Sequence, residues 1–180
     1  MKKLILLTII PFLISCGYSG GKESDPDFFQ KLNMKKISEH QIERDIPDSS
    51  AAAGEYIYVP VYSSIYFRDN TRVYNLTVTL AVRNTDSSND IYIKEINYNN
   101  SRGINVKKFL NKPVRVRPLE TFDLVIAEDD TTGGIGANFI VKWVAEQQVH
   151  NPIVEAVMIS IRQGVGLSFT ESGTVLKKIR

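Results

Sequence analysis

The sequence predicts an all-β fold, an immunoglobulin-like β-sandwich, from three observations. From Tyr56 onward apolar residues recur at every second position, the period of a strand with one buried face. Clusters of Asn, Asp, Ser, Gly and Pro interrupt that pattern about every 8–15 residues, which is turn chemistry at hairpin spacing. No helical period of useful length follows Gly54. Many short strands with no crossover helices pack as a sandwich or barrel. The single cysteine, Cys16, leaves no bridge between sheets, so only the architecture of an immunoglobulin domain is expected.

The chain opens with Lys2 and Lys3, then an unbroken apolar run from Leu4 to Ile14. That run falls short of the ~20 residues a membrane span needs and matches the core of a secretory signal, with the small Ser15 at the cut. Leu13, Ile14, Ser15 and Cys16 together resemble the bacterial lipoprotein box. The resemblance implies cleavage before Cys16, a diacylglyceryl group on its thiol and, in most cases, an acylated new N-terminus. Residues 1–15 are then a lipoprotein signal peptide. Each buried CH₂ contributes roughly 0.8 kcal/mol and stable anchoring takes two signals, so two or three acyl chains suffice. The expected location is the bacterial cell envelope, lipid-anchored. Gly17 stands where an Asp would signal inner-membrane retention, which favours the outer membrane.

Removing residues 1–15 leaves 165 of 180, enough for one domain that buries roughly two-thirds of its unfolded surface. The 22 basic residues lose Lys2 and Lys3 and then equal the 20 acidic ones. A neutral chain is a poor general binder of nucleic acid. With Cys16 lipidated, no thiol remains for a disulfide, a Cys-based metal site or a nucleophile.

Residues 16–54 read as a tether. "GYSGGKESDPD" is polar and flexible, and "FFQKLNMKKISEHQIERD" forms at most one weak helix, since Phe28, Phe29, Leu32 and Ile37 are not cleanly periodic. "IPDSSAAAGE" then breaks it. The sandwich is expected over residues 55–180.

In "YIYVPVYSSIYF", Ile57, Val59, Val61, Ile65 and Phe67 are taken as core-facing, which puts Tyr56, Tyr58, Tyr62 and Tyr66 on the other face. Pro60 cannot donate to a ladder and marks the strand as an edge. A row of tyrosines on an edge is a candidate surface for an envelope protein or a glycan, because Tyr joins apolar area to a polar tip. Strand propensity alone explains the same row if a loop covers the rings. "VYNLTVTLAVRN" alternates, with Tyr74, Leu76, Val78, Leu80 and Val82 apolar on one face of a half-buried strand. "LETFDLVI" repeats this with Phe122, Leu124 and Ile126, and "NFIVKWVAE" with Phe139, Val141, Trp143 and Ala145. "PIVEAVMISI" is apolar on both faces and reads as a central strand. "DIYIKEINYN", "GINVKKFL", "PVRVR", "GLSF" and "GTVLKKI" are shorter candidates.

The runs "YIYVPVYSSIYF", "LTVTLAVRNTD", "GGIGANFIVKW", "PIVEAVMI" and "GLSFT" resemble a family of bacterial envelope lipoproteins known only as a domain of unknown function, over about residues 55–176. The resemblance implies an envelope location and a single β domain. It carries no activity, substrate or catalytic residue.

Chemistry is sparse. His40 lies in the tether and His150 in a polar turn, with no shared ligand spacing and no setting for a Ser-His-Asp triad. No catalytic residue and no cofactor is expected. Gly133, Gly134 and Gly136 lack the Lys-Ser/Thr of a phosphate loop. Glu128, Asp129 and Asp130, with those glycines and Asn138, form a candidate ligand or calcium loop, because Ca²⁺ takes 6–8 oxygens. The competing account is a plain turn with solvated acids. Lys107, Lys108, Lys112, Arg115 and Arg117, followed by Glu120 and Asp123, are either a basic patch for anionic headgroups or exposed cross-strand pairs. The expected role is non-catalytic binding or scaffolding by a membrane-anchored lipoprotein. The alternative is an envelope hydrolase with an unrecognised site.

Overall fold

A computed structural model describes residues 26–162 and 164–179; the signal segment and Cys16 lie outside the described residues. Among the described residues one α-helix, α1 (Pro26–His40), precedes twelve strands. These are β1 (Ala53–Val61), β2 (Ser64–Phe67), β3 (Asp69–Asn75), β4 (Thr77–Arg83), β5 (Ile91–Asn99) and β6 (Asn105–Lys108). There follow β7 (Val114–Val116), β8 (Thr121–Ile126), β9 (Ala137–Ala145), β10 (Ile153–Arg162), β11 (Val165–Ser172) and β12 (Thr174–Lys178). Every pairing is antiparallel. One sheet runs β12-β1-β9-β5-β6, with β7 also on β5, and the other runs β11-β10-β4-β8. The β2–β3 hairpin stands apart. The all-β sandwich is therefore the fold.

The alternation did its work where one face meets the core. Phe139, Val141 and Trp143 share the inner face of β9, fully buried, against Leu76, Val78, Leu80 and Val82 of the β4 segment and Phe122, Leu124 and Ile126 of β8. The indole N–H of Trp143 has no hydrogen-bond partner, so shape alone holds the ring.

The expected tether is a correction from Pro26 onward. The helix is docked along the edge of β8. Its inward stripe is Phe29, Leu32, Asn33, Lys36, Ile37 and His40, spaced at helical intervals but half polar. Asn33, 3% exposed, donates to the carbonyl of Val125 at 2.7 Å and accepts its N–H at 2.9 Å. Lys36 pairs with Asp123, and His40 reaches Glu120 at 3.3 Å while its ring lies edge-on to Phe122. A search for apolar period could not see this helix as part of the domain. Beyond it, Gln41 bridges to Val114, and the segment to Ala52 lies across the outer face of the first sheet, burying Ile46 and Ala51 on Val144.

The strand order also corrects the edge expected at Pro60. β1 has β9 along its whole length and β12 over Glu55–Tyr58. Pro60 lies two residues past the last β12 pair, in the stretch with a strand on one side only. The edge function passes to β11 and β12, one nearly continuous strand that changes sheets at Gly173. A Cβ there would collide with Ile57 and meet the Val154 carbonyl at 3.0 Å, so glycine lets the crossing strand touch both sheets.

The two ends differ. At one end, Val61 stands opposite Ala137, Ile126 opposite Val78 and Ile159 opposite Thr77. Ser63, just past β1, accepts the N–H of Leu76, just before β4, so both sheets share this end. Here α1 begins, its Phe29 beside Asp129–Thr132. The helix finishes toward the other end, at Glu120.

Candidate functional site

The glycine loop is built as a turn. Gly133 packs against the Tyr98 ring, and any Cβ would collide with that hydroxyl. Gly134 has φ +74°, a left-handed value that glycine takes at little cost, and opens one 3₁₀ turn. The Gly133 carbonyl accepts from the N–H and hydroxyl of Ser101, and the Gly134 carbonyl from those of Ser63. The loop backbone is thus tied to two neighbouring segments. Asp130 accepts from the N–H and hydroxyl of Thr132, Asp129 is exposed, and Glu128 is half-buried. Asn138 bonds Asn99 at 2.9 Å on the outer face of the sheet. Among the described residues no three His, Cys, Asp or Glu side chains gather where an ion could sit.

Burial pushes the Tyr98 phenol up to about 12. The Ser63 hydroxyl is the polar neighbour acting on it, but falls short of bonding geometry and leaves the Tyr98 oxygen without a partner.

The four tyrosines do not form one surface, which corrects the expected row. Tyr56 and Tyr58 face outward from β1, and the Tyr56 ring lies 5.1 Å beneath the Lys142 ammonium. Tyr62 turns toward the core and meets Phe169 edge-on at 5.7 Å. Tyr66 stands on the separate hairpin, 55% exposed.

Lys142 is a residue sequence reasoning missed. It stands between Val141 and Trp143, outside every candidate set, yet it is 7% exposed beneath the crossing segment. It pairs with Asp48 at 2.9 Å and Glu95 at 3.6 Å, while Lys94 pairs with Asp45 at 2.9 Å and Asp48 at 3.3 Å. Burial pulls the Lys142 ammonium down, but the bonds and charge of Tyr56 and Asp48 outweigh it and hold it above the ordinary lysine value. This network pins the segment over the sheet.

Several of the remaining ionisable candidates are likewise engaged. His40 receives no free carboxylate dyad, since its Nδ1 faces the Lys36 carbonyl at 2.8 Å. His150 is exposed and gives its backbone N–H to Asp86. Backbone bonds from Ser88, then Asn89, hold the Asp86 carboxyl below its ordinary range. In the basic stretch, Lys107 covers the Phe109 ring, Lys112 reaches Glu43 and Arg115 reaches Asp90. Glu120 and Asp123 serve α1 instead of cross-strand partners. A cleft of about 360 Å³ between α1 and the loop gathers Phe29, Gln30, Lys107, Asp129 and Asp130 around a shallow floor.

The unsatisfied feature is a sheet edge. Of the edges, β8 is capped by Asn33, which imitates a further strand. β6 is short and carries Lys107 and Lys108, and β12 carries Lys177 and Lys178, the charges that block edge pairing. β11 has no lysine, arginine or proline and no strand on its outer side among the described residues. Its one charge is Glu171, half-buried and without an ion pair among the described residues.

No helix among the described residues is long and apolar enough to cross a membrane. No curated protein matches the sequence. A solved structure, that of Thermotoga maritima 1070, is similar at 10% identity and TM-score 0.41, covering 67% of this chain and 92% of that one. The profile of one family, described as a protein of unknown function (DUF3124), matches residues 54–176, from the start of β1 into β12. The match leaves out α1 and the covering segment and takes in both sheets, so the chain belongs to the DUF3124 family of proteins of unknown function.

Proposed function

We propose that this chain is a lipid-anchored protein of the bacterial envelope, held at the outer membrane through Cys16, whose sandwich is a non-catalytic binding or scaffolding module. Its partner is an envelope protein that adds to the β11 edge. The anchor rests on the Leu13–Cys16 box. The binding role is carried by one contrast: His40 and Lys142 are engaged in structural ion pairs, while β11 has no strand on its outer side among the described residues, which leaves a row of backbone donors and acceptors there. An extended polypeptide is the ligand that satisfies such a row.

Palmitate labelling and fractionation of wild type and Cys16→Ser test the anchor. Label in the wild type alone supports it, and equal label in both refutes it. A photo-crosslinking residue placed at Thr170, and at Ser87 as a control, tests the edge in intact cells. A discrete adduct from Thr170 only is expected. Matching patterns from both positions would remove β11 as the docking strand.

A further inference from the structure

We propose that the end of the sandwich bearing the β2–β3 and β10–β11 hairpins rests on the lipid surface, with the hairpin tips entering the headgroup region. The proposal depends on the Cys16 anchor. It adds a second, non-covalent membrane contact made by the folded domain itself.

The length of the connection is the first observation. Docking of α1 leaves nine residues, 17–25, between Cys16 and Pro26. Whatever their conformation, they span at most about 30–35 Å, whereas a free connection to residue 54 would reach on the order of 130 Å. The start of the helix is therefore kept close to the anchored lipid.

The place where the helix starts decides which end that is. Asn33 bonds Val125 and Phe29 lies beside Asp129–Thr132, at the end where β8 and β10 finish. The helix then leads away, about 22 Å over 15 residues, to Glu120 at the other end. The anchor and the two hairpins share one end.

That end is shaped to meet lipid. The ladder of β4 on β10 stops at Ile159, but β11 follows β10 through Arg162 opposite Val165. The hairpin thus projects about 10 Å past the sheet, at roughly 3.3 Å per residue. Ile161 and Val165 on this projection are each 72% exposed, and Ile159 and Leu167 are partly so. The adjoining β2–β3 hairpin exposes Tyr66 and Val73. A hairpin satisfies its own cross-strand bonds, and Tyr sits readily at headgroup depth.

Charge agrees. Arg68 in the β2–β3 turn, Arg72 on β3 and Arg102 in the β5–β6 turn lie at this end with no ion pair among the described residues, and Arg68 covers the Phe67 ring at 5.1 Å. The acids at this end are Asp27, Asp69, Glu128, Asp129 and Asp130: Asp27 pairs with Lys31, Asp69 is bonded by Thr71 and Asp130 by Thr132, Glu128 is half-buried and Asp129 is exposed. Guanidinium groups without an ion pair, beside exposed aliphatics, fit anionic headgroups over an acyl boundary.

The test uses the full-length acylated protein, extracted from membranes and reconstituted into phosphatidylethanolamine–phosphatidylglycerol vesicles. Ile161→Cys and, at the opposite end, Leu119→Cys are labelled with an environment-sensitive dye. Both positions are 72% exposed, so neither change disturbs the core. With Cys16 acylated, the introduced thiol is the free one. The expected result is a blue-shifted dye at position 161 that brominated lipids quench, with an aqueous, unquenched dye at 119. Water at both positions overturns the proposal while leaving the anchor intact. A blue shift at 161 without bromolipid quenching also overturns it, because protein then covers the tips. A protein that fails to float with the vesicles refutes the anchor and the proposal together.

Discussion

Replacing Asn33 by Ala isolates what holds α1 to the sandwich. The substitution removes two hydrogen bonds, at 2.7 and 2.9 Å, that its amide makes to the carbonyl and N–H of Val125. Each bond contributes about 0.5–1.5 kcal/mol net, and a polar group stranded without a partner costs about 1–3 kcal/mol more. Val125 is half-buried, so water reaches its freed groups in part. A loss of about 2–4 kcal/mol follows, against a typical total of about 5–15 kcal/mol. With a urea slope near 2 kcal/mol/M, the midpoint falls by about 1–2 M. Asn33→Asp fares no better than Ala, because an acceptor then faces the Val125 carbonyl. Met34→Ala on the exposed side of the same helix stays within about 0.5 kcal/mol of wild type. Urea unfolding followed by Trp143 fluorescence, together with exchange of the Val125 amide, measures both effects. Asn33→Ala and Met34→Ala unfolding at the same midpoint, with Val125 equally protected, would refute the view that a polar clasp docks this helix.

Trp143→Ala removes the largest fully buried side chain and costs roughly 3–5 kcal/mol by calorimetry or urea, enough to unfold much of the protein. Gly133→Ala forces a methyl into the Tyr98 hydroxyl and lowers the melting temperature more than Gly136→Ala, whose Cβ would meet Ser101 at an ordinary 3.5 Å. Burial raises the Tyr98 phenol from 10.0 to about 12, so the folded form resists an ionisation that the unfolded chain accepts. The stability this represents is intact below pH 10 and drains away toward pH 12, on the order of 2–3 kcal/mol; Tyr98→Phe loses less over that window, and equal alkaline profiles count against it. Asp86 is shifted the other way: its bonds from Ser88 and Asn89 stabilise the fold above the ordinary value of 3.8 and are lost as pH falls through its lower folded value. Asp86→Asn therefore flattens the acid limb of an unfolding curve, and an unchanged limb argues that the turn does not depend on the charge.

The strands of the core were legible because their information is local. Leu76 to Val82, Phe122 to Ile126 and Phe139 to Ala145 each alternate along one strand, and alternation needs only to know that one face meets apolar neighbours. The turn chemistry of residues 131–136 was legible for the same reason, since Gly134 answers to its own φ. The tertiary structure alone decided which strands became edges. Pro60 pointed to β1, but neighbours more than 75 residues away determine who pairs with whom, and they placed β9 and β12 beside it. It alone decided the fate of residues 26–52. Asn33, Lys36 and His40 form an inward stripe only because Val125, Asp123 and Glu120 lie opposite. Lys142 is buried only because Asp48 crosses above it. Apolar burial is written in period, since any apolar neighbour serves; polar burial is written in partners, and a partner distant in sequence has no period to betray it.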